Sequence, residues 1–228
     1  MKAYDAPRGV VTGTVLEMAR PLPKKSKISS GPGWPLDRRP QLAACIARIA
    51  VLWSRVEERL GCITVSLLGA EPIIGTRMYE ALTSSADRVA VLRAVAQDRL
   101  DERMRARLED LLGRYAEARW KRNKVIRGHW YVSDDHPDEL VWADPADEAV
   151  DAGEFWSGFS AKGDFRSQLQ FARSYERRRP DYLLFNKQEF EAILDEIRGV
   201  GFALTDFCVD IDHHKQEVVA GDFARPSG

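Results

Sequence analysis

The sequence predicts a mainly α-helical protein: an up-down four-helix bundle followed by a small α+β C-terminal extension. Three observations carry this expectation. Ile46, Ile49, Trp53, Val56, Leu60, Ile63 and Leu67 recur at alternating steps of three and four, which places them on one stripe of a helix. Met104, Leu108, Leu111, Tyr115 and Ala118 repeat that spacing. Beyond Trp130 the helical period gives way to turn-rich sequence with short β-like runs such as Leu140-Val141-Trp142.

Composition bounds the function. With 228 residues, 44% hydrophobic and 30% charged, the chain can bury a core and is not wholly disordered. Lys plus Arg number 34 against 35 Asp plus Glu, a net charge of −1. Binding of a nucleic-acid coat protein is driven by an excess of Lys and Arg, so any such contact here must come from a local basic patch. The three cysteines and four histidines contain no Cys-x-x-Cys, which argues against a zinc site. Cys45 and Cys62 sit in helix-like apolar runs and read as small hydrophobes. The start of the chain lacks a signal-peptide core, and no apolar run reaches membrane-spanning length. A cytoplasmic protein without membrane contact is expected.

Residues 1–40 read as a flexible N-terminal arm with one short strand at Val10–Leu16. Pro21-Leu22-Pro23 and Gly31-Pro32-Gly33 read as linker, because proline removes backbone donors and glycine raises the entropy lost on ordering. The bundle is expected over residues 41–130. Its first helix starts near Leu42 and is ended by Gly69 and Pro72. A second helix runs from Thr76 through Leu82, and a third follows Ser84, whose hydroxyl can cap it and which carries Val89, Leu92, Val95 and Ala96 inward. The fourth begins just after Leu100-Asp101.

Residues 131–228 form the extension. Ser133 to Asp138 and the acidic Asp144 to Asp151 read as loops, and Glu154 to Arg173 as a hairpin. Asn186-Lys187-Gln188-Glu189 has the form of a capping box opening a helix that runs to Gly199. Arg177-Arg178-Arg179 reads as exposed loop charge. Asp210, Asp212, His213 and His214 match no firm metal template, and neither metal nor cofactor is expected.

The fourth helix holds the informative stretch. Continuing its seam past Ala118 gives Arg122, Val125 and His129, so two of the last three inward positions turn polar. An inward Arg needs a partner or a cleft. A histidine can transfer a proton near neutral pH, an arginine can hold a phosphodiester, and Asn123 can orient a ribose hydroxyl. Around them Arg119, Lys121, Lys124, Arg127 and Trp130 supply phosphate contacts and stacking. The competing reading is a helix C-terminus that gathers cations because its dipole and free carbonyls favour them.

The run Arg122-Asn123, five residues, then His129, late in the last helix of a predicted bundle, resembles the HEPN superfamily. The likeness covers roughly Leu42 to Trp130, with Trp53 and Glu57 on the first helix. It implies a HEPN-like bundle and a metal-independent endoribonuclease of toxin–antitoxin or phage-defence type. In that scheme Arg122, Asn123 and His129 are catalytic, and Glu57 supports Arg122 or Asn123 across the bundle. It also implies a homodimer with a composite site, and RNA and an antitoxin or other regulatory protein as partners. Many relatives read Arg-Asn-x-x-x-His-Gly-x-Trp, and here Arg127 stands at that His position with His129 two residues later. A catalytically silent module binding RNA or a protein partner is therefore the alternative.

Overall fold

The structure is a computed structural model and describes residues 19–29, 34–160 and 182–223. The chain is mainly helical with a small antiparallel sheet. The helices are α1 (Pro40–Leu68), α2 (Pro72–Ala81), α3 (Ser85–Arg99), α4 (Glu102–Arg127), α5 (Pro145–Ser160) and α6 (Lys187–Phe223). The strands are β1 (Arg20–Pro21), β2 (Ile28–Ser29), β3 (His129–Ser133), β4 (His136–Ala143) and β5 (Leu183–Phe185). They form two compact units, each discontinuous in sequence: residues 1–42 with 127–189, and residues 43–126 with 190–228.

The second unit is helical. In α1 the stripe Ile49, Trp53, Val56, Leu60, Ile63 and Leu67 is buried, and Cys45 rather than Ile46 continues it toward the N-terminus. Gly69 ends α1 at φ +64°, a left-handed conformation that glycine adopts without a Cβ penalty. Cys62, expected inside, is exposed, because it falls off the stripe.

Caps start the next helices where the sequence offers them. Glu71 accepts from the amides of Ile73 and Ile74, with Pro72 in the first turn of α2. Ser84 accepts from Asp87 N at 3.0 Å, and Asp101 from Met104 N at 2.8 Å. Helix α6 does not stop at Gly199. Its stripe Phe190, Ile193, Ile197, Val200, Leu204, Phe207 and Ile211 is buried, so the helix continues past the glycine as a core helix.

Within this unit α6 runs antiparallel to α4: Arg107 pairs with Asp210 and, further along α4, Lys121 with Glu196. Arg93 of α3 meets Glu109 of α4 through three hydrogen bonds. The four helices expected over 41–130 are thus joined by a fifth from the chain's C-terminal part.

The first unit is built on a five-stranded antiparallel sheet in the order β1-β5-β4-β3-β2. Its central strand β4 buries Leu140, Val141, Trp142 and Ala143. Arg20–Pro21 and Ile28–Ser29, read as linker, supply the two edge strands, where a proline's missing N–H is tolerated.

Two local expectations are overturned here. The segment Asp144 to Asp151, read as a loop, starts α5: Asp144 caps it by accepting from Ala146 N at 2.9 Å, and Pro145 opens its first turn. Of the hairpin expected over Glu154 to Arg173, residues 154–160 are helical and 161–173 lie outside the described residues, while β3 and β4 pair as a hairpin earlier in the chain. Val10–Leu16 and Arg177–Arg179 also lie outside them.

Candidate functional site

The seam of α4 takes a different route from the expected one. Met104, Leu108, Leu111, Tyr115, Ala118 and Val125 are buried, and the buried cation between the last two is Lys121, only 6% exposed, while Arg122 is half-buried. From Ala118 a step of three reaches Lys121 and a step of four then reaches Val125, so the stripe bypasses Arg122. Lys121 Nζ pairs with Glu117 at 2.9 Å and with Glu196 of α6. Burial pulls its pKa down, but hydrogen bonds to Glu196 and Glu117 more than offset this and hold it above the ordinary lysine value. A lysine so clamped ties α4 to α6, and its expected role at a substrate gives way to that one.

Arg122 and Asn123 are joined side chain to side chain, with Arg122 Nη1 donating to Asn123 Oδ1 at 2.9 Å. On the solvent side of the same helix Trp120 is 50% exposed, and the Lys124 ammonium lies 5.2 Å from its ring centroid. Arg119 is half-buried, and Arg127, the last residue of α4, is exposed.

His129 does not continue the helix. Helix α4 ends at Arg127 and His129 opens β3, so the seam count that turned it inward beside Arg122 does not reach it. Gly128 is the reason. A Cβ there would come within 1.7 Å of Trp142 Nε1, so the indole packs directly on the glycine backbone and draws the chain into the sheet.

The His129 ring is 56% exposed, and its Nδ1 donates to Glu148 Oε2 at 2.5 Å. Tyr131 OH donates to the same oxygen at 3.0 Å. Burial first, and then the Glu148 carboxylate, push the Tyr131 phenol above its ordinary range. Trp130 packs edge-on to Phe185 at 5.4 Å within the sheet unit rather than standing out as a stacking platform.

Glu57 is the centre of a polar network in the helical unit. It accepts from Trp53 Nε1 at 3.1 Å, Tyr115 OH at 2.6 Å and Arg88 Nη1 at 3.0 Å. These three partners take the place of the expected pairing with Arg122 or Asn123. Burial, then the hydroxyl's bond to Glu57, raise the Tyr115 pKa. The spacing Trp53–Glu57 is one helical turn and was visible in the sequence. The identity of the two long-range donors was not.

A second cluster was missed altogether. Ser26 Oγ donates to His136 Nε2 at 3.1 Å, and His136 Nδ1 donates to Glu139 Oε2 at 3.1 Å, in the tautomer this network requires. The order is that of a hydroxyl nucleophile, base and orienting acid. Yet the amides of Ser26 and Lys27 are occupied by Pro23 O and Asp135, Ser26 is 9% exposed, and Glu139 also holds Arg20. The chain of bonds fastens the β1–β2 connection to β4. No short sequence motif marks it, because Ser26 and His136 are far apart in the chain.

Among the described residues no cluster of His, Cys, Asp or Glu could hold a metal ion, and no helix is long and apolar enough to cross a membrane. No protein-family model, curated protein or solved structure matches the chain.

Proposed function

We propose that this protein is a HEPN-like helical module that binds single-stranded RNA through the solvent-facing side of α4. The observation that carries the reading is the half-exposed Trp120 ring with the Lys124 ammonium 5.2 Å from its centroid. An exposed indole offers a π-face to an unstacked base, and the ammonium beside it suits the adjoining phosphate. Arg119 and Asn123, both half-buried, are the immediate neighbours of Trp120 and Lys124 on the same helix.

The test is fluorescence anisotropy of a labelled single-stranded RNA against the full chain, in EDTA. Saturable binding that weakens in Trp120→Ala and in Lys124→Ala supports the reading. Equal affinity in all three proteins, or no binding by the parent, sinks it.

A second reading is favoured by the Arg122–Asn123 hydrogen bond, which fixes the two side chains of the HEPN-type pair in one orientation. In it the protein is a metal-independent endoribonuclease of toxin or phage-defence type, active as a homodimer and restrained by a regulatory partner. Arg122 would hold the phosphate and His129 would move the proton after leaving Glu148. RNA cleavage in EDTA, abolished by Arg122→Ala and by His129→Ala, is the result this reading needs.

A further inference from the structure

The helical unit contains a cleft of about 810 Å³ walled by α1, α2 and the start of α3. It lies within the size range of small-molecule sites. Its floor is apolar, with Val65, Ala70 and the ring of Tyr79. Its charged groups are three carboxylates, Glu57, Glu58 and Glu80, and a single cation, Arg88.

The four charged groups are not equivalent. Arg88 already has partners: Nη1 donates to Glu57 at 3.0 Å, Nε donates to Leu82 O at 2.9 Å, and the guanidinium lies 4.8 Å from the Tyr79 ring centroid. Glu57 in turn accepts three donors and has its charge matched. Glu58 has only a long 3.9 Å approach from the adjacent Arg59, and Glu80 makes no ion pair among the described residues. Two exposed carboxylates therefore stand over an apolar pocket with no cation of their own inside it.

A further group in the wall is incompletely matched. Tyr79 is 7% exposed, and its buried hydroxyl has no hydrogen-bond partner of ordinary geometry. Burial, reinforced by Glu57, pushes that phenol up to about 12, so it stays neutral and can donate or accept at physiological pH.

We propose that this cleft binds a small organic cation, a primary amine or guanidinium on an apolar stem, with Glu58 and Glu80 holding the charge and Val65 and the Tyr79 ring the stem. An anion would meet two unmatched carboxylates and is disfavoured. A purely apolar molecule would leave them without a counter-charge. The inference stands apart from RNA binding by α4, since none of these residues belongs to that helix.

The experiment is calorimetric titration of the full chain with 4-phenylbutylamine and with its neutral counterpart 4-phenylbutanol. The amine binds saturably and the alcohol binds much more weakly. Glu58→Gln and Glu80→Gln each weaken the amine about two- to fivefold, as expected for partly exposed ion pairs, and the double variant weakens it further. Neither changes affinity for the alcohol, and Asp110→Asn, an exposed acid outside the cleft, changes nothing. Thr76→Trp, a substitution at an exposed position of the cleft wall, blocks both ligands without touching the core. Equal affinity for amine and alcohol, amine binding unaltered in the double Glu→Gln variant, or no saturable amine binding by the folded parent each overturns the proposal.

Discussion

Gly128 and Trp142 share one space: the indole Nε1 sits 1.7 Å from where a Cβ on residue 128 would be. The glycine is thus a packing surface, and it sets the point at which the last helix of the bundle region becomes a strand. Gly128→Ala is expected to displace the buried Trp142 and to destabilise the protein by about 1–3 kcal/mol, the usual cost of overpacking. Gly113→Ala is the matched contrast. It lies inside α4 with open space around its would-be Cβ, and alanine there should stabilise by about 0.5–1 kcal/mol. Denaturant midpoints of the two variants, moving in opposite directions, check both statements.

The Glu57 network should behave as one unit. Tyr115→Phe removes the 2.6 Å donor and is expected to lose about 1–2 kcal/mol. Glu57→Ala strands Arg88, Trp53 and Tyr115 together and should lose more, about 2–3 kcal/mol. Combined, the two should fall well short of their sum, because Tyr115 has no acceptor to lose once Glu57 is gone. A double-mutant cycle from chemical denaturation measures that shortfall, and simple additivity would break the network apart.

Two lysines three residues apart on α4 should separate stability from binding. Lys121→Ala leaves Glu196 and Glu117 without their ammonium, and should lower the melting temperature while leaving RNA affinity unaltered. Lys124→Ala should leave the melting temperature in place and weaken RNA binding, with the salt slope of log affinity reduced by about 0.7 if one single-strand phosphate contact is lost. Anisotropy titrations over a range of salt, set beside melting curves, give both readouts. An unchanged slope in Lys124→Ala would count against the binding face.

At alkaline pH the buried phenols of Tyr79 and Tyr115 act together with the half-buried Tyr131 and Cys208. Burial raises Tyr79 to about 12 and Cys208 to about 11, and raises Tyr115 and Tyr131 as well. The folded state prefers the protonated form of each, so their contribution is complete below the unfolded-state values and is lost as pH rises through the folded-state ones. Stability should therefore be flat near neutrality and decline from about pH 9 upward, starting with the cysteine and followed by the tyrosines. Tyr115→Phe, though less stable at neutral pH, should show a shallower alkaline decline. Denaturation midpoints across pH provide the measurement.

Local signals in the sequence located most helix starts, and tertiary contacts decided the rest. Ser84, Gly69 and the Asn186–Glu189 box act through neighbours within a few residues, so they could be read directly. The α1 stripe was equally legible because its seven-residue repeat is nearly unbroken. Gly199 was read as the end of that helix, although Val200, Leu204, Phe207 and Ile211 carried the same period onward. Burial of that stripe outweighs the roughly 1 kcal/mol each glycine costs a helix. Asp144-Pro145 was a start signal hidden by an acidic first turn.

For the candidate site, the basic and aromatic character of residues 119–130 was evident, but the orientations were not. Either Lys121 or Arg122 continues a three-four count, and only the position of Glu196 on α6 selects the lysine. His129 could be placed on a helix only while Trp142 was unknown to lie on Gly128.

The discontinuous units bear on how the chain can be divided. A fragment ending at Trp130, the natural cut if the bundle is taken as residues 41–130, would retain α1 to α4 and discard α6. It would strip Lys121 and Arg107 of their carboxylates on α6 and remove the buried side chains of Phe190 through Ile211 from the core. Modular boundaries in this protein are therefore not points along the chain. Any insertion, fusion or truncation that respects the fold must keep residues 43–126 and 190–228 in one molecule, with residues 127–189 carried between them and the edge strands β1 and β2 supplied from the N-terminal side.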